Sequence, residues 1–397
     1  MLAIDSTGTS NTRANTGIQR VTRSLVKGLT NLTMAQPVCF EKIYNCWGLP
    51  DKQAKKRIYH QEDLRPGNRR GVRWSPWKYI LKTLGSKGTR PADSFHFDGF
   101  IEPEIFSNRI SLKLDNFLKL VSGPSIALYY DSTCLKFPEI SPKNNTERFP
   151  AYLQQLLKFD GIAAISETSK EEIIDYWKWL GFKKKPIVKT IPLAVDMSHH
   201  LRTPSVEPKR QKMPTVLCVG SIEGRKNQVS LLSAAEKLWS TGMEFHVKLI
   251  GLESPETSGP ALDLLNQCKI KGRPVEWLGP QSENDLRTHY ENCSFTVYPS
   301  IAEGFGLPVL ESLKHGKPCV CSSQGAIGEI SNGGGCLTVE KPTPEALAQA
   351  METLLTDSEL HSTFCNEARN RTFRTWSDYA NDILEFHKSL NKSHNKA

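Results

Sequence analysis

Short apolar runs alternate along the chain with stretches in which apolar residues recur every three to four positions. That alternation predicts βα units assembling parallel sheets. In the first half Leu2-Ala3-Ile4, Ser125 to Tyr129 and Gly161 to Ile165 read as buried strands. Gly17 to Leu29 reads as a helix, because Ile18, Val21, Leu25 and Leu29 fall on one face. Ser166 is placed to cap a second helix reaching about Leu180, with Lys170, Glu171 and Glu172 in its first turns. The run Ile187 to Val195 closes this half, and the polar, basic, proline-bearing Met197 to Pro214 reads as a linker.

The second half repeats the pattern. Strands at Thr215 to Val219, Phe245 to Ile250, Val275 to Leu278, Phe295 to Val297 and Pro318 to Cys321 alternate with helical segments at Gln228 to Trp239 and around Leu262, Leu286, Leu310 and Leu347. Thr372 to Leu390 carries Trp376, Tyr379, Ile383 and Phe386 on one stripe, which predicts a helix packing back onto the first half. The expected organisation is α/β: a doubly wound domain over 1–196, a linker over 197–214, a second doubly wound domain over 215–371, and a returning helix with a tail over 372–397. Open parallel sheets bind ligands at the carboxyl ends of their strands, so function is sought in a cleft between the domains.

A length of 397 residues suits two cores, and 38% hydrophobic with 23% charged residues fits a globular chain. The ten cysteines lack CxxC spacing or paired histidines, so they are expected to be buried small hydrophobes in a reducing compartment. Met1-Leu2-Ala3-Ile4-Asp5 turns polar at once, unlike a secretory signal, and no apolar run reaches membrane-spanning length. A cytoplasmic location is expected. The net charge of +9 favours anionic partners and is concentrated between Lys52 and Arg90, where Trp74, Trp77 and Tyr79 are interleaved with basic residues. That stretch reads either as a peripheral contact with the cytoplasmic face of an anionic membrane or as a solvated insertion. No signature of a nucleic-acid-binding module accompanies the charge, and nucleic acid is not an expected partner.

The sharpest chemical feature is Tyr298-Pro299-Ser300-Ile301-Ala302-Glu303-Gly304-Phe305-Gly306-Leu307-Pro308-Val309-Leu310-Glu311, which follows a predicted strand. Gly304 and Gly306 allow a close ligand and unusual backbone angles, and Pro308 suits the first turn of a helix. The helix start offers backbone amides at its positive end, while Glu303 and Glu311 can both face one cleft and accept hydrogen bonds from sugar hydroxyls. Upstream, Gly220-Ser221-Ile222-Glu223-Gly224-Arg225-Lys226-Asn227 places a basic pair just after the strand that opens the second half.

These segments closely resemble the family-four retaining glycosyltransferases of GT-B fold, glycosyl transferases group 1, in which two glutamates flank a Gly-Phe-Gly loop. Leu249-Ile250-Gly251, Leu278-Gly279, Thr16-Gly17-Ile18-Gln19-Arg20-Val21, Ile165-Ser166-Glu167 and Ile191-Pro192-Leu193-Ala194-Val195-Asp196 fall in the family's order. The resemblance spans nearly the whole chain and is patchy from Cys39 to Asp93. It implies two Rossmann-like domains, the first for acceptor and the second for donor. It also implies transfer of a hexose or deoxyhexose, with a mannosyl donor favoured, from a nucleotide-diphosphate sugar to a glycan or lipid-linked glycan. Configuration would be retained, with no cofactor and no metal, in polysaccharide or surface-glycan biosynthesis.

Carried over by residue, the resemblance implies that Glu303 and the loop amides of Gly304, Phe305, Gly306 and Leu307 hold the donor sugar and Glu311 the ribose hydroxyls. Arg225 and Lys226 would neutralise the diphosphate, with Gly17, Gly220 and Ser221 lining the donor site. An Arg/Lys pair with a helix N-terminus can stabilise the charge of a departing diphosphate, which agrees with the residues read on their own. No Asp-x-Asp-like ligand set for a divalent cation is found. Tyr130 stands in Tyr129-Tyr130-Asp131 where family members often carry histidine, so Asp131 becomes the polar contributor to catalysis on the acceptor side. Tyr130 itself and His96, near the end of another expected strand, are further acceptor-side candidates. The rival reading is a noncatalytic glycosyltransferase-like protein that binds glycan or a membrane surface.

Overall fold

The computed structural model describes residues 1–41, 46–59, 95–106, 108–195 and 213–394. The first half contributes strands β1 (Leu2–Asp5), β2 (Ala35–Glu41), β3 (Cys46–Gly48), β4 (Gly99–Glu102), β5 (Ser125–Tyr129), β6 (Gly161–Ala164) and β7 (Ile187–Thr190). They form one sheet in the order β3-β2-β1-β4-β5-β6-β7, parallel throughout except for β3 against β2. The second half contributes β8 (Thr215–Val219), β9 (His246–Ile250), β10 (Val275–Trp277), β11 (Phe295–Tyr298), β12 (Cys319–Ser322) and β13 (Cys336–Val339). These make a parallel sheet in the order β10-β9-β8-β11-β12-β13.

Each sheet is doubly wound. Strand order reverses between β1 and β4 in one and between β8 and β11 in the other. At such a switch the flanking connections leave toward opposite faces, so a crevice opens at the carboxyl ends of the two central strands. The expected strands are found, with differences that have local causes. β2 contains Pro37, β4 is a short Gly-Phe-Ile-Glu run, and β13 follows Gly333-Gly334-Gly335, so none carries a strong apolar signal. Ile187 to Val195 is strand only as far as Thr190; Ile191, Leu193, Ala194 and Val195 then run buried beneath both units.

The helix Gly17–Leu32 buries Val21, Leu25 and Leu29 as its spacing requires. Against it packs Trp376–His394, which begins later than expected because Thr375 and Asp378 form a reciprocal cap: the Thr375 backbone N–H donates to Asp378 Oδ2 at 2.8 Å and the Asp378 N–H to Thr375 Oγ1 at 3.2 Å. Tyr379, Ala380, Ile383, Phe386 and Leu390 are buried, bringing the chain's last helix onto the first sheet. One apolar cluster runs through both units, with Tyr130, Ile165 and Leu193 from the first and Tyr298, Phe305 and Leu310 from the second. Eight of the ten cysteines are buried. The expected linker 197–214 lies outside the described residues up to 212, as does Asp196. Of the basic stretch only the helix Lys52–Tyr59 is described, with Lys52, Lys55 and Lys56 exposed.

Candidate functional site

Two loops leave the switch point of the second sheet. β8 continues through Gly220 and Ser221 into a single 3-10 turn, Gly224–Lys226. Asn227 follows in the left-handed region at φ 54°, the one non-glycine with positive φ among the described residues. Its amide donates to Pro299 O at 3.1 Å and Pro342 O at 2.9 Å, which holds the reversal that starts the helix Gln228–Ser240. β11 continues into Pro299-Ser300. There the Ile301 N–H donates to the carbonyl of Arg225 at 2.9 Å, and the Ser300 hydroxyl oxygen lies 3.1 Å from the same carbonyl. The turn bearing the basic pair is thus stitched to the loop bearing Glu303.

The result is a compact charge cluster. Glu303 Oε2 lies 2.7 Å from Arg225 Nη1, and Oε1 lies 2.5 Å from Lys226 Nζ and also accepts from Ser300 Oγ at 2.5 Å. Arg225 Nε is 2.9 Å from Glu223 Oε1, while Lys226 donates to the Tyr298 hydroxyl at 2.6 Å and sits 4.8 Å from the centre of that ring. Burial alone pushes the Glu303 carboxyl up, but the Arg225 and Lys226 charges together outweigh it and hold it at about 2. The Lys226 ammonium is pushed down, first by burial and then by Arg225. This assembly is preorganised for an anion: a diphosphate can take over the two cations and leave a charged carboxylate free to accept hydroxyls.

The Gly304-Phe305-Gly306 loop lies against the end of β5. A Cβ on Gly304 would sit 2.3 Å from the Tyr130 carbonyl oxygen and 2.9 Å from Asp131 Oδ2, so only glycine allows this approach. Ser169 Oγ donates to the Tyr130 carbonyl at 2.6 Å and lies 3.3 Å from that of Gly304. Gly306, at φ 116°, caps the helix Leu307–Lys314, with Pro308 in its first turn. Phe305 is expected to contribute through its backbone amide. Its side chain is 8% exposed and buried in the cluster shared by both units, so it anchors the loop and leaves only its backbone for a ligand. Leu307 packs partly buried against the same cluster.

Glu311 does not join Glu303 directly. Its Oε1 pairs with Arg20 Nη1 at 2.6 Å and its Oε2 accepts from the Tyr290 hydroxyl at 3.1 Å. Arg20 reaches it from the first turn of the Gly17–Leu32 helix, across the cleft. Gly17 opens that helix with nothing within 4 Å of where its Cβ would be. Other contacts also cross. Asn15 Nδ2 donates to Glu283 Oε1 at 3.0 Å, and Glu329 accepts from the Glu167 N–H at 2.9 Å and the Thr168 N–H at 2.7 Å at the start of the helix Glu167–Trp179.

On the acceptor wall the structure keeps one candidate and moves two. Asp131 stays at the cleft, with Oδ1 accepting from the Thr133 N–H at 2.9 Å and its charge acting on Arg225. Tyr130 turns its buried ring away, and its hydroxyl donates to Pro103 O at 2.6 Å, so it offers the cleft a carbonyl rather than a side chain. His96 precedes β4 instead of ending it. It sits 75% exposed beside Asp98 at the amino edge of the sheet, opposite to the cleft, because the strand begins only at Gly99. The alternating Phe95 and Phe97 imitate a strand, yet they stack on each other ahead of it.

Sequence reading missed a buried carboxyl cluster at the ends of β1 and β4. Glu104 accepts from the backbone N–H groups of Gly8 and Thr9, the latter at 2.8 Å, and so caps the short helix Thr7–Ser10. Asp5 accepts from the Thr7 N–H at 2.9 Å, and Glu102 accepts from the Glu104 N–H at 3.1 Å. Burial pushes Asp5 up to about 6, Glu104 to about 7, and Glu102 well above the carboxylate range. The position of Asp5 and Glu102 at the ends of apolar strands was the available signal. Among the described residues no three metal-ligating side chains are placed to hold a metal ion, and no helix is long and apolar enough to cross a membrane.

Comparison with known proteins meets this geometry. Residues 202–371 match the family described as Glycosyl transferases group 1. The O-antigen chain mannosyltransferase B of Escherichia coli is 28% identical over 245 residues, covering 59% of this chain and 62% of that protein. A D-inositol 3-phosphate glycosyltransferase of Corynebacterium urealyticum is 27% identical over 43% of this chain and 42% of its own. The matches therefore span less than two thirds of these relatives. Among solved structures, Anabaena Alr3699/HepE in complex with UDP and glucose superposes with a TM-score of 0.69 at 16% identity, covering 98% of this chain and 99% of the other. Residues 202–371 thus carry the match to glycosyl transferases group 1, and the chain as a whole has the GT-B fold of two Rossmann-like units.

Proposed function

We propose that the chain transfers a hexosyl group, mannosyl in first choice, from a nucleotide-diphosphate sugar to a glycan or lipid-linked glycan, with retention of configuration and without a metal ion. The observation that carries this reading is the Arg225–Glu303–Lys226 cluster at the switch point of the second sheet, closed on its far side by Asp131. The relatives named for mannosyl transfer to O-antigen and the neighbour solved with UDP and glucose support a sugar-nucleotide ligand of this kind.

In this reading the diphosphate draws Arg225 and Lys226 away from Glu303, and the released carboxylate accepts hydrogen bonds from the donor sugar. The bond from the anomeric carbon to the diphosphate oxygen breaks as negative charge builds on that oxygen, which the two cations and the Leu307–Lys314 helix start stabilise. The acceptor hydroxyl attacks the oxocarbenium-like centre from the same face and passes its proton to the departing diphosphate, with Asp131 orienting the acceptor. Glu303 positions rather than attacks.

The test is a panel of GDP-, UDP-, ADP- and dTDP-sugars incubated with the chain, with and without EDTA, reading nucleoside diphosphate release and thermal stabilisation. Release by at least one donor, unchanged by EDTA, is expected. Loss in EDTA with rescue by a divalent cation would overturn metal independence, and stabilisation without release would favour the noncatalytic alternative.

A further inference from the structure

Both oxygens of the Glu311 carboxylate are held by protein groups of different character. Tyr290 comes from the same unit, is 2% exposed and stacks on His315 with ring planes 8° apart, so it is a fixed wall. Arg20 comes from the opposite unit, and 27% of its side chain stays accessible. Its guanidinium is the exchangeable partner. The loop before it is fastened to the same helix, because Arg23 donates to Ala14 O at 2.9 Å and to Asn15 Oδ1 at 3.0 Å. Asn15 in turn reaches Glu283 across the cleft. Loop and helix start are therefore joined, and Arg20 and Asn15 are two of their contacts with the opposite unit.

We propose that Arg20 is a ribose-exchanged latch. In the donor-free chain it closes the cleft on Glu311, and the ribose diol of an incoming nucleotide displaces it, so that donor binding and release are coupled to opening of this contact. The inference rests on Glu311 being the ribose-binding group. A cis-diol presents two O–H donors to one carboxylate and a guanidinium presents two N–H donors, so they compete for Oε1. Arg20 is a positioning residue: it acts through Glu311 and through closure, and inorganic pyrophosphate, which has no ribose, is indifferent to it.

The experiment titrates UDP, GDP, ADP and inorganic pyrophosphate calorimetrically into the wild-type chain, Arg20→Ala, Arg20→Lys and Glu311→Ala, each checked for folding by thermal denaturation. Arg20→Ala is expected to bind the preferred nucleoside diphosphate about fivefold more tightly, the size of one partly exposed ion pair removed from competition. Arg20→Lys should restore most of the wild-type value, pyrophosphate affinity should not change, and Glu311→Ala should weaken only the nucleotide. Arg20→Gln replaces any alanine variant that fails to fold. If a nucleotide binds and depends on Glu311, but Arg20→Ala binds it equally or more weakly, the latch is wrong while the ribose assignment stands. If no nucleotide binds, or Glu311→Ala leaves affinity unchanged, the ribose assignment fails and the latch with it.

Discussion

Glu303 combines burial with two cations and a hydroxyl, and the balance of those effects decides its chemistry. Because its folded carboxyl is held at about 2, its ion pairs stabilise the chain above the unfolded carboxylate range, near pH 4, and that stabilisation is lost as pH falls through about 2. The group thus stays charged at neutral pH. Glu303→Gln keeps the shape but leaves Arg225 and Lys226 without their counter-charge and the donor without a full acceptor. We expect kcat for donor turnover to fall by about a hundredfold, and Tm to fall as well because two largely buried cations lose their partner; a variant with wild-type kcat would remove Glu303 from the site. This residue was legible in the sequence through its place before the glycines. Arg20 was quoted with its motif but given no role, because a salt bridge across a cleft has no local pattern.

At the scale of elements, the Gly304-Phe305-Gly306 loop meets the first unit at a point that tolerates no side chain. Gly304→Ala forces its Cβ onto the Tyr130 carbonyl, so either the loop or the end of β5 must shift. Displacement of this order costs about a hundredfold in rate when it separates reacting groups, and steady-state kinetics should show the loss in kcat more than in KM. A second element effect concerns β1 and β4. The raised carboxyls of Asp5, Glu104 and Glu102 hold protons that the unfolded chain releases. The contribution of Asp5 and Glu104 to stability is therefore complete below about pH 4 and is lost as pH rises through about 6 to 7, and that of Glu102 is lost above the carboxylate range. Glu102→Gln keeps the acceptor for the Glu104 N–H and removes one titrating group. A Tm that falls less steeply between pH 5 and 8 than in wild type is the expected result, and an unchanged slope would contradict it. The strands were legible where apolar runs were long, as at Ser125 to Tyr129. β4 was misplaced because its four residues end in a buried glutamate that reads as polar, while Phe95 and Phe97 just upstream read as strand.

For the whole molecule, what joins the two sheets matters most. The helix Trp376–His394 carries the chain back from the second unit, and Gly28 lies so close to it that a Cβ there would meet Ala380 Cβ at 2.7 Å. Phe386 is 2% exposed, and Phe386→Ala is expected to cost about 3–5 kcal/mol. Chemical denaturation should then show the first unit losing stability; a cost below about 1 kcal/mol would mean the returning helix is not part of its core. The heptad-like stripe of that helix announced this return, whereas the crossing contacts at Glu311, Gly304 and Glu329 depend on how the units face each other, which no single segment encodes. The central claim, that a basic pair and a glutamate serve a nucleotide-sugar donor, is tested most directly by nucleoside diphosphate release from a panel of nucleotide sugars with wild type and Lys226→Ala. Release by wild type, reduced about a hundredfold or more in a folded Lys226→Ala, is the predicted result. Equal release by both, or no release and no stabilisation by any nucleotide sugar, would contradict it.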